Sequence, residues 1–271
     1  MGRRVIPIFS IEYESAQDIG KRHEQQDSFA FSFARWEKAE EPGILAVVCD
    51  GMGGMALGRE SSLLATETFT RIFEKAPPHL SVPEALYRSL LAANDAVWGM
   101  ASKAGFPGIA GTTLTAAVIE RGSLYWASVG DSRVYLFRDG SLKRLTEDHN
   151  VANHLEKLVE KGEMDPAEAS AYWRPDALTS FIGIEVLEEY DLSEKPLPLE
   201  EGDVVLLCTD GLYNFMAEDE ICEFLSSAQG DSSAGTAQRM VNCLRQRGLP
   251  YQDNVTVLLL KPQPSGSDLY F

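Results

Sequence analysis

The sequence predicts an α+β fold in which two antiparallel β-sheets are covered by helices. Segments rich in β-branched and aliphatic residues come in consecutive groups, and segments with helical periodicity stand between these groups. A doubly wound parallel sheet would place a helix after each strand, so it is disfavoured. Tight-turn residues at 121–123 and 138–141 separate three successive strand segments, which predicts an antiparallel meander between Val118 and Leu145.

The individual elements follow from the same patterns. Strands are predicted at Ser28–Phe33, Ile44–Cys49, Thr113–Ile119, Leu124–Val129, Val134–Arg138, Val204–Cys208 and Asn254–Leu260. Helices are predicted at Arg59–Glu74, Pro83–Ser102, Val151–Lys161, Glu218–Ser226 and Ser233–Arg247.

Length and composition indicate one ordinary globular domain. The chain has 271 residues, of which 44% are hydrophobic and 24% charged. We expect a single domain over residues 1–271, with a core from about 10 to 262 and a tail, 263–271, outside the fold. No apolar run approaches the roughly 20 residues that span a bilayer, and the N-terminus fails as a signal peptide. A cytoplasmic monomer without a membrane contact is therefore expected.

Charge and cysteine usage exclude other classes of function. The net charge of −17 repels nucleic acid phosphates and argues against a role in binding them. The four cysteines form no Cys-x-x-Cys pair, so neither a zinc site nor a disulfide framework is indicated.

Aspartates stand at the ends of several predicted strands. Asp50 and Asp210 follow buried strands, Asp131 closes another, and Asp253 precedes its strand. Because the end of one antiparallel strand lies beside the start of its neighbour, Asp210 and Asp253 can meet at one edge. Asp50 and Asp131 could join them there.

Such a cluster predicts a site for a hard divalent cation. Crowded carboxylates repel one another unless protons or cations intervene, and oxygen ligands without clustered His or Cys select Mg²⁺ or Mn²⁺. Gly51 would let its main-chain carbonyl approach the ion. The alternative is that each Asp-Gly pair is simply a turn after a strand, which is the commoner interpretation for either pair alone.

An arginine and another aspartate stand close together near the N-terminus. Arg22 precedes Asp27 by five residues. If a strand follows, Asp27 can supply another carboxylate, and the planar guanidinium of Arg22 can bind a phosphate through two hydrogen bonds. The alternative is a solvated surface ion pair of little energetic value.

Seven ordered motifs carry a resemblance to a known family. They lie at 20–28, 48–61, 111–115, 128–140, 145–150, 206–212 and 253–257. In this order they resemble the bacterial branch of the type 2C metal-dependent protein serine/threonine phosphatases, the PPM family, over about residues 18–261. The resemblance implies a four-layer α-β-β-α sandwich with a binuclear metal centre at one end.

The resemblance also implies the roles of individual residues. Two Mn²⁺ or Mg²⁺ ions per chain, with a weaker third site, would be held by Asp27, Asp50, Gly51, Asp131, Asp210 and Asp253. Asp50 would bridge the two ions, Asp27 would act through water, and Asp131 would serve the third site. Arg22 would bind the substrate phosphate, so that Asp50 and Arg22 are the candidate catalytic residues. Residues 150–172 would form a mobile flap.

Three positions depart from patterns in the family. Gln26 stands where members often have Glu, and Met55 stands where many have His. Met52 occupies the place of a histidine that is proposed as the general acid in eukaryotic members. No histidine is therefore expected to protonate the leaving oxygen here.

The implied activity is hydrolysis of phosphoserine and phosphothreonine in proteins by direct attack of a metal-bridging water. The expected partners are phosphorylated proteins, including a serine/threonine kinase and its substrates. Two alternatives stay open, namely a phosphoprotein-binding regulatory module with weak or no catalysis and a phosphatase of small phosphate esters.

Overall fold

Two antiparallel β-sheets face each other in the computed structural model, which describes residues 5–34, 43–52, 57–227 and 235–270. The strands are β1 Val5–Asp18, β2 Asp27–Ala34, β3 Gly43–Met52, β4 Gly111–Thr112, β5 Leu114–Glu120, β6 Ser123–Val129, β7 Arg133–Arg138, β8 Ser141–Arg144, β9 Asp191–Leu192, β10 Leu197–Pro198, β11 Val204–Cys208 and β12 Val255–Tyr270. The helices are α1 Gly58–Glu74, α2 Val82–Lys103, α3 Val151–Glu160, α4 Pro166–Ser170, α5 Asp210–Tyr213, α6 Glu218–Ser227 and α7 Thr236–Arg247.

The strand order confirms the predicted antiparallel architecture. The first sheet has the order β1-β12-β11-β7-β8, and the second has the order β10-β6-β5-β3-β2. The short strands β4 and β9 pair with β3 and β6. The single meander predicted between Val118 and Leu145 is wrong, because β5 and β6 pair in the second sheet whereas β7 and β8 pair in the first. The chain passes from one sheet to the other between Val129 and Arg133, so the segment forms two hairpins.

Burial on both faces of the central strands produces the four layers. In β3, Ile44, Ala46 and Val48 pack between the two sheets, whereas the intervening Leu45 and Val47 face α1 and α2. The same alternation in β11 divides its side chains between the sheet interface and a cluster with α6 and α7. Strands buried on both faces have continuous apolar sequences, which is why these two were readily predicted.

Local sequence signals set the bounds of the helices. Ser81 accepts a hydrogen bond from the backbone N–H of Glu84, and the Glu84 side chain bonds back to the Ser81 N–H, so α2 begins with a capping box. Helix α7 ends at Arg247, and Gly248 caps it in a left-handed conformation. Residues 233 and 234, predicted as the start of this helix, lie outside the described residues. Within the described ranges, no helix is long and apolar enough to cross a membrane.

The structure differs from the sequence prediction at both ends of the chain. Strand β1 was not predicted, and it pairs with β12 from Asp18↔Val255 to Val5↔Tyr270. The expectation that residues 263–271 lie outside the fold is therefore wrong for 263–270, because β1 gives this stretch a partner. Residue 271 lies outside the described residues.

Candidate active site

Strand register places Asp27 beside Asp50. Strands β2 and β3 are antiparallel, and Asp27 lies directly opposite Asp50. Opposed residues project from the same face with Cβ atoms about 5 Å apart. The pairing of two strands therefore brings together a residue inferred from resemblance and one inferred from its position at a strand end.

Two threonines from the other sheet hold the Asp27 carboxylate. Thr209 donates to Asp27 Oδ2 at 3.0 Å, and Thr256 donates to the same oxygen at 2.7 Å. The second oxygen, Oδ1, is buried and has no hydrogen-bond partner among the described residues. Asp27 thus joins both sheets and offers one unsatisfied oxygen. Neither threonine was predicted as a site residue, although each lies in one of the seven ordered motifs.

Asp50 is held by its backbone. Its N–H donates to Thr113 Oγ1 at 2.9 Å, and its carbonyl accepts from the Thr113 N–H and the Thr112 hydroxyl, both at 2.8 Å. The Gly111-Thr-Thr motif therefore anchors this aspartate and leaves its carboxylate to the cavity.

Gly51 is required by close packing. A Cβ at this position would lie 2.1 Å from the Gly58 carbonyl oxygen and 2.7 Å from that of Gln26. Both neighbours are backbone atoms, so no side chain could be accommodated without moving the strand. This packing is a reason for glycine in addition to the metal contact expected from the sequence.

Asp210 and Asp253 come from adjacent elements of the first sheet, as predicted. Asp210 begins α5 directly after β11 and Thr209, and its Oδ2 accepts from Asn214 at 3.1 Å. Its Oδ1 is buried without a hydrogen bond in the described part of the chain. Asp253 precedes β12, and its Oδ2 accepts from Arg22 Nη2 at 2.5 Å.

A cavity of about 850 Å³ collects these groups. Its lining includes Arg22, Asp50, Gly51, Asp131, Asp210 and Asp253. Asp27 is not part of the lining and lies buried below Asp50. His23, Asp176 and Leu178 also line the cavity, and sequence analysis had placed none of them there.

The predicted flap region stands beside this cavity. Residues 150–172 contain α3 and α4, and the stretch that follows returns to the site. An isolated bridge joins Asn150 to Leu178, and the Val151 N–H donates to the Ala177 carbonyl at 2.9 Å. The base of α3 is therefore fixed next to the residues that line the cavity.

The carboxylates destabilise one another's charged forms. Burial raises the pKa of Asp50 well above its usual range, and repulsion from Asp27, Asp210 and Asp131 raises it further. Burial, followed by repulsion from Asp148, raises the pKa of Asp131 to about 6. The hydrogen bond from Arg22 to Asp253 raises the pKa of the guanidinium. One arginine cannot neutralise this cluster, so the site favours additional positive charge.

The donor set fits hard divalent cations. Buried carboxylate oxygens of Asp27 and Asp210 lack hydrogen-bond partners in the described ranges, and Gly51 lines the cavity together with Asp210. Among the described residues, no three His, Cys, Asp or Glu side chains are already drawn into one metal-binding group. Small hard cations such as Mg²⁺ keep several waters and use one or two carboxylates, so the arrangement suits them.

A family model described as Protein phosphatase 2C matches residues 17–258. The chain belongs to the protein phosphatase 2C family. This match confirms the resemblance found in the motifs. The expected enzyme class, a protein serine/threonine phosphatase, and the sandwich fold are confirmed with it.

Relatives within the protein phosphatase 2C family share most of the chain. A serine/threonine phosphatase of Listeria monocytogenes is 31% identical over 221 residues, which cover 80% of this chain and 84% of that protein. The S. agalactiae serine/threonine phosphatase structure has a TM-score of 0.77 at 26% identity and covers 93% of this chain and 99% of that one. The catalytic domain of PstP, solved with two manganese ions, has a TM-score of 0.72 at 28% identity and covers 94% and 100%.

The three departures from family patterns have different structural settings. Met52 lines the cavity. The backbone N–H of Gln26 donates to Asn254 Oδ1 at 2.8 Å, so this residue ties the N-terminal loop to the segment of Asp253. Met55 lies outside the described residues.

Proposed function

We propose that this protein phosphatase 2C removes phosphate from phosphoserine and phosphothreonine in proteins and uses Mn²⁺ or Mg²⁺ to do so. The observation that carries the proposal is the convergence of five aspartates from separate segments, two of them with unsatisfied buried oxygens, beside an arginine. The two manganese ions in the related PstP structure support the choice of cation.

The residues that would hold two cations are Asp27, Asp50, Gly51, Asp210 and Asp253, and Asp131 would hold a third more weakly. Divalent cations at such a site supply an activated water at neutral pH and positive charge for the phosphoryl oxygens. Asp50 would hold a cation together with Asp27 and Asp210, the two carboxylates whose repulsion raises its pKa most. Asp27, buried and held by two hydroxyls, would orient water from below.

Arg22 would bind the phosphate of the substrate. Its side chain is 60% exposed at the edge of the cavity and forms an ion pair with Asp253. The guanidinium fork suits two phosphoryl oxygens, and an exposed ion pair costs little to exchange for them. Arg22 therefore provides ground-state binding next to the carboxylates.

Substitution of the carboxylates tests the proposal. Asp50→Asn and Asp210→Asn should each lower Mn²⁺-dependent hydrolysis of a phosphothreonine peptide by at least about 100-fold, because each removes a charged cation ligand. Asp139→Asn, at an exposed turn residue, is the matched control and should retain activity. Circular dichroism checks that each variant is folded. Full activity of the Asp50 and Asp210 variants would overturn the site assignment.

Two further assays separate the alternatives. A regulatory module without catalysis should hydrolyse no phosphopeptide and bind no Mn²⁺ at millimolar concentration in a calorimetric titration. A phosphatase of small esters should prefer sugar phosphates to the phosphothreonine peptide. We expect Mn²⁺ binding and a preference for the peptide.

A further inference from the structure

Strand β7 begins and ends with an arginine in the same type of ion pair. Arg133 donates to Asp148 from Nε at 2.9 Å and from Nη2 at 2.6 Å. Arg138 donates to Asp203 in the same way at 2.8 and 2.6 Å. The two arginines are separated by about 16 Å along the strand, and only Arg133 lies at the end that carries Asp131.

Arg133 also contacts two tyrosines. Its guanidinium carbon lies 3.5 Å from the centroid of the Tyr213 ring, and its Nη1 donates to the Tyr135 hydroxyl at 2.9 Å. Its side chain is only 16% exposed. A buried cation is costly unless several partners satisfy it, and here a carboxylate, a hydroxyl and a ring face do so. This arginine is therefore held in one position.

Tyr213 connects Arg133 to the candidate metal site. It is the last residue of α5, which begins at Asp210, and its hydroxyl donates to the Asp131 backbone carbonyl at 2.9 Å. The ring thus lies against the arginine while its hydroxyl fixes the main chain at Asp131.

Asp148, the ion-pair partner of Arg133, also connects to the turn that contains Asp131. After Asp148, the backbone N–H of His149 donates to the Gly130 carbonyl at 2.9 Å, and the Gly130 N–H donates to His149 Nδ1 at 3.0 Å. Asn150 then caps α3 through its side chain, and it lies close enough to the Asp131 carboxylate to lower the pKa of that group. Two routes therefore lead from Arg133 to the turn at Asp131, and Arg144 shares the second by donating to Asp148 Oδ2 at 3.0 Å.

We propose that Arg133 is a positioning residue that, through Tyr213 and Asp148, holds the Asp131 carboxylate toward the cavity for a divalent cation. This inference rests on the proposed function, because it takes Asp131 as a metal ligand. Arg133 acts through these neighbours and is not itself a ligand of substrate or cation. Among the described residues, Arg138 donates to Asp203, Glu200 and the Pro198 carbonyl and not to the turn at Asp131, so it provides the matched control.

The test uses Tyr213→Phe, Arg133→Lys, Arg138→Lys and Asp131→Asn in the full chain. Tyr213→Phe removes one hydroxyl and keeps the ring, so it should fold. Arg133→Lys keeps the charge and loses the two-bond fork. For each variant, Mn²⁺ affinity is measured by calorimetric titration, thermal stability by melting, and the Mn²⁺ dependence of phosphopeptide hydrolysis by activity.

Tyr213→Phe and Arg133→Lys should weaken the lowest-affinity Mn²⁺ step by about 10-fold, as the loss of partners around a ligand does. Asp131→Asn should abolish that Mn²⁺-binding step. Arg138→Lys should lower the melting temperature and leave the Mn²⁺ affinity unchanged. Unchanged Mn²⁺ affinity in the Tyr213 and Arg133 variants would overturn the inference, and so would an equal fall in Mn²⁺ affinity in Arg138→Lys. In either case, loss of the Mn²⁺-binding step in Asp131→Asn would still uphold Asp131 as a metal ligand. If Asp131→Asn also binds as wild type does, Asp131 is not a ligand and the inference fails with that assignment.

Discussion

Arg22 illustrates how one residue can serve two partners at the site. In the structure it pairs with Asp253, whereas the proposed function requires it to meet a phosphate. The guanidinium is charged in either setting, because arginine stays protonated in proteins. The exposed position makes the exchange feasible, because water can solvate both groups during it.

Substitution of Arg22 should therefore affect substrate binding first. Arg22→Ala should raise KM for a phosphothreonine peptide by about 10-fold or more, since it removes charge-assisted hydrogen bonds to the phosphate. Arg22→Lys should recover part of the loss, because it keeps the charge. Steady-state kinetics at saturating Mn²⁺ measure KM and kcat for each variant. A fall in kcat alone would show that the ground-state binding role is wrong.

Residues at strand ends could be predicted, whereas the residues that support them could not. Asp50, Asp210 and Asp253 follow or precede apolar runs, so their approach followed from antiparallel geometry. Thr209 and Thr256 contact Asp27 across 182 and 229 residues of chain. Threonine is common in strands for its shape alone, so nothing local distinguished these two.

The segment from 148 to 151 joins the turn at Asp131 to helix α3. Within it, burial lowers the pKa of His149, opposed by the nearby carboxylates of Glu189, Asp191 and Glu147. The neutral ring is needed because Nδ1 accepts the Gly130 N–H. Protonation of His149 would therefore break one of the bonds between the turn and the flap region.

The stability of this connection should depend on pH. Since the folded pKa is lowered, the stabilisation is complete above the unfolded value of about 6.5 and is lost as the pH falls through the folded value. His149→Asn keeps an acceptor for the Gly130 N–H but cannot be protonated. We expect it to reduce the fall in melting temperature between about pH 7 and about pH 5.

The exposed His154 on α3 supplies the control, because His154→Asn makes the same substitution at an exposed position. Melting curves of both variants against wild type measure the effect. An identical pH dependence in His149→Asn and wild type would contradict the assigned role.

Element prediction succeeded for buried strands and failed for the strand at the sheet edge. Strand β1 is apolar from Val5 to Phe9 and alternates apolar and polar residues only from Phe9 to Glu14. Its only described partner in the sheet, β12, lies at the opposite end of the chain. Such a pairing has no local signal, because the partners are brought together by the whole sandwich. The same omission led to the wrong expectation for residues 263–270.

At the scale of the whole molecule, the acidic cluster links folding to cation binding. Burial and mutual repulsion raise the pKa of Asp50 and Asp131 above their values in the unfolded chain. Their contribution to stability is therefore complete below the unfolded value of about 3.9 and is lost as the pH rises through the raised folded values. Cations would offset this loss, because they bind the folded carboxylates in place of protons.

The metal-free protein should consequently melt at a lower temperature at about pH 8 than at about pH 6, and Mn²⁺ should reduce or reverse the difference. Asp50→Asn should be more stable than wild type without metal at the higher pH, and Mn²⁺ should stabilise it less. Scanning calorimetry with and without a chelator measures these changes. Equal stability of wild type and Asp50→Asn under all conditions would contradict the linkage.

The central claim is that aspartates from both sheets hold the divalent cations of a protein phosphatase 2C. A crystal structure of the protein soaked in Mn²⁺, with anomalous scattering to locate manganese, tests it most directly. We predict two ions that share Asp50, bounded by Gly51, Asp210, Asp253 and the water held by Asp27, with a weaker third ion at Asp131. Manganese peaks away from Asp50 and Asp210, or none at all at millimolar Mn²⁺, would contradict the claim.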